Sequence, residues 1–296
     1  MIIRLASNKD IEYIFKIWHA CFTDDQAYIT NYLKYCVPHT KTWLLGLEKE
    51  NFVSCLSVIP SYILMNFKQI RGGYLYAVGT LPEYRGNSYS KVLMESAIKD
   101  CKSEGLSYLL VKPANDNLYP FYLDSSFDRI LFKSVSTFLT KESVGRNDSS
   151  LVITSLNASD LFSIREASFA DTRYLWPKEI LGYVIIEALS RSGSCKKFEI
   201  TNGNSNRVLY YIAYPDELIS TKIKVLETNA ENPIEIEYLL SILKGEYPGM
   251  EETEIESPIS YLESVSYTVQ RSALLHPFNE NLSPLLEKLH LSLPLE

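Results

Sequence analysis

The sequence predicts a mixed α/β protein of two consecutive domains, each a central mixed sheet flanked by helices. Three observations predict it. Apolar residues recur by turns at strand and at helix spacing along the chain. The strand and helix order of residues 1–142 is loosely repeated in residues 150–296, across a polar, glycine-containing stretch from Lys141 to Ser150. The length of 296 residues suits two domains of about 100–200 residues each.

The elements follow in order. Ile2 to Ala6 reads as a strand, and Ser7 with Asp10 makes a capping-box start for a helix, Asp standing in for Glu. Ile11, Ile14, Phe15, Trp18 and Phe22 then share one face of that helix. A second helical stretch runs over Gln26 to Cys36 and is ended by Pro38. Thr42 to Leu47 and Phe52 to Ile59 read as a hairpin closed by the polar Glu48 to Asn51. A Tyr- and Val-rich strand lies within Gln69 to Thr80, and the turn Leu81 to Gly86 leads into a helix over Ser88 to Glu104. Leu93, Ala97 and Cys101 line one face of this helix beside Met94 and Ile98, and Gly105 stops it. Tyr108 to Lys112 is a short apolar strand, Asn117 to Ser125 a short helix, and Arg129 to Thr140 a strand or pair of strands.

In the second half, Leu151 to Leu156 reads as a strand, Ser159 to Phe169 as a helix, and Pro177 to Ser190 as a strongly apolar helix. Lys196 to Thr201, Val208 to Tyr214 and Thr221 to Thr228 read as strands, the first two joined at Asn202-Gly203. Pro233 to Lys244 is a further helix, and Pro284 to Glu296 a short tail.

Composition removes several classes. Apolar residues at 46% supply ordinary cores, and a net charge of -7 disfavours general binding to nucleic acid, which needs basic surface to neutralise phosphates. The five cysteines are widely spaced, with no C-x-x-C pair, so buried thiols in a reducing compartment are expected rather than a zinc site or disulfide framework. His19, His39, His276 and His290 show no metal spacing. Neither a signal peptide nor a membrane span is expected, and the protein reads as cytoplasmic. The motifs of zinc proteases, P-loop NTPases and α/β-hydrolases are missing from the sequence.

The chemistry concentrates in Tyr74 to Phe127. A strand running through a short turn into a helix leaves backbone N–H groups and the positive helix end facing outward, an anion site. Val78, Pro82, Tyr84, Arg85 and Gly86 spell V-x-x-x-P-x-Y-R-G, and Arg85-Gly86-Asn87-Ser88-Tyr89-Ser90 follows the Q/R-x-x-G-x-G/A loop with serine in place of both later glycines. Further on, Asn115 stands seven residues before Tyr122, and Tyr122 to Phe127 approaches Y-x-K-x-G-F, with Asp124 and Ser126 as departures. On these residues, about 1–140 of the chain resembles the GNAT superfamily of acyl-CoA-dependent N-acetyltransferases.

The resemblance implies a donor site for acetyl-CoA and a primary amine on a small molecule or peptide as acceptor. By it, Ala77, Val78, Gly79 and Thr80 hold the pantetheine arm and polarise the thioester. Arg85, Gly86, Asn87, Ser88, Tyr89 and Ser90 take the pyrophosphate, Asn115 touches the cofactor or braces the strands, and Tyr122 protonates the leaving thiol. A left-handed backbone at the substituted glycines would cost serine roughly 1–2 kcal/mol at each. Ordinary first-turn positions would cost little, and serine's fitness for helix starts favours these. No acidic residue lies in Gln69 to Thr80, so the base is unassigned. Tyr74 and Tyr76 are candidates for a water relay, and Glu83 is expected in solvent. The second half has the strand–helix order without the Arg-Gly phrase, and carries Glu227 and Glu231 at the corresponding turn. It is similar to the degenerate second domain of tandem acetyltransferases, which would shape the acceptor cleft. Two alternatives stay open: an acyl-CoA-binding protein without turnover, and a transferase using another acyl donor.

Overall fold

A computed structural model describes residues 1–48, 51–65, 68–139, 151–168, 172–202, 205–257, 267–278 and 289. In chain order the strands and helices are β1 (Ile2–Leu5), α1 (Ile11–Cys21), α2 (Gln26–Asn31), β2 (Lys41–Glu48), β3 (Asn51–Met65), β4 (Lys68–Thr80), α3 (Tyr89–Ser103), β5 (Tyr108–Val111), α4 (Tyr119–Leu123) and β6 (Arg129–Leu139). There follow β7 (Ile153–Ser155), α5 (Ala158–Ser168), β8 (Thr172–Leu175), α6 (Lys178–Ser190), β9 (Ser194–Asn202), β10 (Ser205–Pro215), β11 (Lys222–Thr228), α7 (Pro233–Glu246), β12 (Glu252–Ser257) and β13 (Thr268–Pro277).

The chain divides into two compact units. The first holds residues Met1–Leu131, Tyr174–Tyr183 and Ala273–Leu289; the second holds Phe132–Arg173, Val184–Ser272 and His290–Glu296. The stretch expected to separate two domains, Lys141 to Ser150, lies outside the described residues, as do Gly203 of the expected turn and most of the tail.

Each unit carries the same kind of mixed sheet. In the first, β1, β2, β3 and β4 pair antiparallel in sequence order. β5 then joins β4 in parallel, with α3 as the crossover, and Leu274–Pro277 of β13 pairs antiparallel to β5. In the second, β7, β9, β10 and β11 pair antiparallel, β12 joins β11 in parallel across α7, and β6 lies antiparallel to β12. A parallel neighbour needs a long crossover, which the amphipathic helices α3 and α7 supply. The sixth strand of the first unit, β13, comes from far along the sequence, and that of the second, β6, stands at the start of that unit's sequence.

Local chemistry sets the elements around the site. Ser7 and Asp10 form the capping box: the Ser7 N–H donates to Asp10 Oδ2 at 2.7 Å, and Ser7 Oγ accepts from the Lys9 N–H. Arg4 grips the same carboxylate with both guanidinium nitrogens, at 2.7 and 2.9 Å, holding Asp10 well below the usual carboxylate range. α3 buries Leu93, Met94, Ala97 and Cys101 against Trp43, Val53, Leu56, Leu75 and Leu109, the face its spacing predicts. Gly105 adopts the left-handed conformation that ends it. On the other side, α1 packs Ile14 and Ile17 with Leu44, Phe52, Cys55 and Leu81.

Candidate active site

The site begins with an irregularity in β4. Cys55 faces Gly79 and Ser57 faces Tyr76, so Leu56 of β3 stands opposite two residues, Ala77 and Val78. The extra residue is taken up at Ala77, whose φ of 51° is left-handed. Pairing between β4 and β5 is confined to Gly73–Leu75 against Leu109–Val111. Beyond Leu75 the two strands part, and Tyr76 to Thr80 present a strand edge that β5 does not cover.

The chain leaves β4 through a single tight turn at Pro82–Tyr84. Gly86 follows at φ 81°, and Ser88, the N-cap of α3, sits at φ 58° and ψ 20°. Ser88 makes no side-chain cap, so the first N–H groups of α3 remain available to an anion. Arg85 folds back, its Nε donating to the Thr80 carbonyl at 3.2 Å. The expectation that both loop serines occupy ordinary helical positions is corrected at Ser88, which is left-handed, and holds at Ser90, which lies inside α3.

Strand edge, loop and α4 enclose a cavity of about 300 Å³. Of the residues selected from sequence, Val78, Gly79, Thr80, Arg85, Gly86, Ser88, Tyr89, Ser90 and Tyr122 line it. Ala77 is not in the lining; it forms the adjoining bulge. Asn87 is turned onto its own loop, Nδ2 donating to the Tyr84 carbonyl at 3.1 Å. Asn115 caps the short turn before α4, its Oδ1 accepting from the Asn117 N–H at 3.1 Å, and it does not line the cavity. Sequence reading missed Cys21 and Phe22 at the end of α1, and Leu118 and Phe121 around α4. Their apolar spacing marked them as core, and nothing local distinguishes a core face from a cavity wall.

Tyr122 is 7% exposed, and its hydroxyl has no hydrogen-bond partner among the described residues. Burial pushes its phenol up to about 12. Cys21 Sγ donates to the Thr80 carbonyl at 3.2 Å; burial raises this thiol, against the opposing pull of the Arg85 guanidinium. Among the described residues, no carboxylate or imidazole lines the cavity. The tyrosines considered for a water relay belong to an aromatic cluster instead. Tyr74 packs edge-on to Trp176, while Tyr76 contacts Trp18 and Tyr32 and shares a hydroxyl hydrogen bond with Tyr28. Glu83 is exposed, as expected.

The corresponding turn of the second unit is closed. The Asn229 side chain accepts from the Tyr210 N–H at 2.8 Å and donates to the Val208 carbonyl at 2.9 Å. Asn232 caps α7, and Glu235 accepts from the Glu231 N–H, with Arg207 bridging both carboxylates. The groups that an anion would use are taken by the chain itself. Among the described residues no His, Cys, Asp and Glu cluster could hold a metal ion, and no helix is long and apolar enough to cross a membrane.

A mixed sheet with a parallel crossover and a bulged fourth strand feeding a helix N-terminus defines the class of α/β domain to which the first unit belongs. Residues 2–124 match the family described as Acetyltransferase (GNAT) domain. No curated protein matches the chain by sequence. Among solved structures, a probable N-acyltransferase from Enterococcus faecalis V583 is similar at a TM-score of 0.73 and 14% identity, over 97% of this chain and 74% of that one. A GCN5-related N-acetyltransferase from Kribbella flavida aligns at 0.64 and 14%, over 93% and 70%. Eis1 from Mycobacterium abscessus aligns at 0.64 and 12%, over 94% and 74%. At these identities the likeness is one of fold.

Proposed function

We propose that the first unit binds acyl-coenzyme A, with acetyl-CoA as donor, and transfers the acyl group to a primary amine of a small molecule or peptide. The observation that carries this reading is the cavity itself, which joins an uncovered strand edge, an open helix N-terminus and an unpartnered phenol. The α3 start and Arg85 suit a pyrophosphate, since both favour negative charge. The free edge of β4 suits the amide-bearing pantetheine arm, which can pair with it as a strand would.

The amine must attack unprotonated. For a lysine-like amine, of pKa about 10.4, deprotonation at pH 7 costs about 4.6 kcal/mol. Among the described residues no carboxylate or imidazole lines the cavity to take that proton, so an acceptor that is neutral at working pH is favoured. Tyr122 acts on the leaving thiol. With the phenol near 12 and the thiol near 8.5, full proton transfer is uphill by about 5 kcal/mol, so Tyr122 serves by donating a hydrogen bond to the developing thiolate. The second unit, whose helix start is closed by its own side chains, carries no second donor site of this kind.

A panel of small amines and peptides, assayed by release of free thiol from acetyl-CoA, tests the reading. Turnover with an amine, reduced roughly 100-fold or more in Tyr122→Phe, is the expected result. The lack of any lining base favours a second reading, donor binding without transfer. Saturable binding with no thiol release from any amine would establish that reading instead.

A further inference from the structure

The first unit holds a second cavity, of about 160 Å³, which shares no lining residue with the donor cavity. It lies between the end of α3 and the strands β3 and β4. Val58, Pro60 and Tyr62 alternate along one face of β3 and reach it, with Cys101 from α3 and Leu106 from the turn beyond. Val58 is 5% exposed and Cys101 1%, so this side of the cavity is apolar and well packed. A Cβ at Gly73 would lie 2.4 Å from Val58 Cγ1, so glycine there lets Val58 seat against β4.

The rim is charged, and its charges do not cancel. Lys41, at the start of β2, pairs with Glu104, the C-cap of α3. Arg71 of β4 and His39, just before β2, line the same rim, and among the described residues no side chain hydrogen-bonds or pairs with either. Glu104 is the one carboxylate among the described lining residues, and Lys41 already holds it. Arg71 is left as an unanswered cation beside apolar surface, in a chain whose net charge is -7.

The second unit treats the corresponding place differently. In its sheet β9, β11 and α7 stand where β2, β4 and α3 stand in the first. The carboxylate at the end of α7, Glu246, accepts from Ser194 Oγ and from the Tyr211 hydroxyl, each at 2.7 Å. The cations that open β11, Lys222 and Lys224, pair with Glu254 at 2.7 Å and Asp216 at 2.9 Å. An arginine without a carboxylate at the start of the fourth strand is thus particular to the first unit and is not required by the fold.

We propose that this cavity is a binding site for a small monocarboxylate with an apolar body. The planar guanidinium of Arg71 takes the carboxylate through paired N–H donors, with the His39 imidazole beside it. The body of the ligand covers Val58, Pro60, Cys101 and Leu106. Ligand cavities commonly run to about 300–1,000 Å³, so a smaller one suits a single ring or short chain rather than a nucleotide. A bare phosphate would leave the apolar side uncovered. The site stands apart from the donor reading and does not rest on it.

The test is ligand-observed NMR titration of the full chain with benzoate, benzamide and inorganic phosphate. Benzoate should saturate with a Kd of roughly 0.1–10 mM. Benzamide, of the same shape without the charge, and phosphate should each bind at least about tenfold more weakly. Arg71→Gln should weaken benzoate about tenfold or more at an unchanged melting temperature, and Arg71→Lys, which keeps the charge without the fork, should fall between. Arg85→Glu should leave benzoate binding as it is. No saturation by benzoate at about 20 mM, equal binding of benzamide or phosphate, or equal affinity in Arg71→Gln overturns the site. Loss of benzoate in Arg85→Glu places the carboxylate in the donor cavity and overturns it as well.

Discussion

Ser88 shows how one residue's backbone changes the meaning of a motif. The left-handed φ of 58° belongs to the folded loop, so its cost of roughly 1–2 kcal/mol bears on folding. Ser88→Gly removes that strain but loosens the unfolded chain by roughly 0.5–1 kcal/mol. The net should be a gain in stability of up to about 1 kcal/mol by thermal melting, with donor affinity changed less than about twofold. Tyr122 allows a sharper separation. Its hydroxyl has no partner, so Tyr122→Phe should leave stability unchanged or slightly raised while lowering turnover. Its phenol, lifted to about 12, stays protonated throughout the working range, so any alkaline limb of activity below about pH 11 should persist in the Phe variant. Disappearance of that limb in Tyr122→Phe would assign the titration to the phenol and contradict this picture. Residue types and spacing made Arg85, Gly86 and Tyr122 legible in the sequence. The conformation of Ser88 and the loop-facing turn of Asn87 depend on φ and on neighbouring carbonyls, which no spacing encodes.

At the scale of single elements, the capping box joined to Arg4 is the clearest test. Asp10 is 4% exposed and accepts from Arg4 and Ser7 together, so Asp10→Asn should destabilise the protein by roughly 1–3 kcal/mol. Because the folded carboxyl lies below its unfolded value, that stabilisation is complete above the unfolded pKa of about 3.9 and is lost as pH falls through the folded one. Wild type and variant should therefore converge in stability only in strong acid, as measured by denaturant midpoints against pH. In the second unit, Arg165 and Glu227 pair at 3.1 Å, 2% and 3% exposed, with the Tyr210 hydroxyl on the same carboxylate. Removing one partner leaves a buried charge, so Arg165→Met should cost roughly 3–5 kcal/mol. The strands that sequence reading omitted fall in the same category of explanation. β12 reads Glu-Thr-Glu-Ile-Glu-Ser, and its inward Thr253 and Ile255 alternate with glutamates too acidic to suggest a sheet. Lys222, 13% exposed, answers Glu254 from the neighbouring strand, a compensation visible only once the strands are paired.

For the whole molecule, the repeat legible in the sequence was one of order, strand and helix alternating twice; the sheets add that the first unit draws its sixth strand, β13, from far along the chain, and that β6 pairs with the distant β12. Residues so distant in sequence leave no periodic signal of their pairing. A fragment ending at residue 142 lacks Tyr174–Tyr183, with Trp176 buried against Tyr74, and lacks the strand that covers β5. Its β5 edge would be bare, and such edges invite aggregation. The fragment should be insoluble or melt without cooperativity, whereas a soluble, sharply melting fragment would show that the first unit is complete without those segments. The account as a whole turns on the donor site. The measurement that tests it most directly is calorimetric titration of the full chain with acetyl-CoA, beside the Arg85→Glu variant. Saturable binding that Arg85→Glu abolishes while its melting temperature is preserved is the predicted result; no heat at millimolar acetyl-CoA, or equal binding by both proteins, would contradict the placement of the donor at β4 and the start of α3.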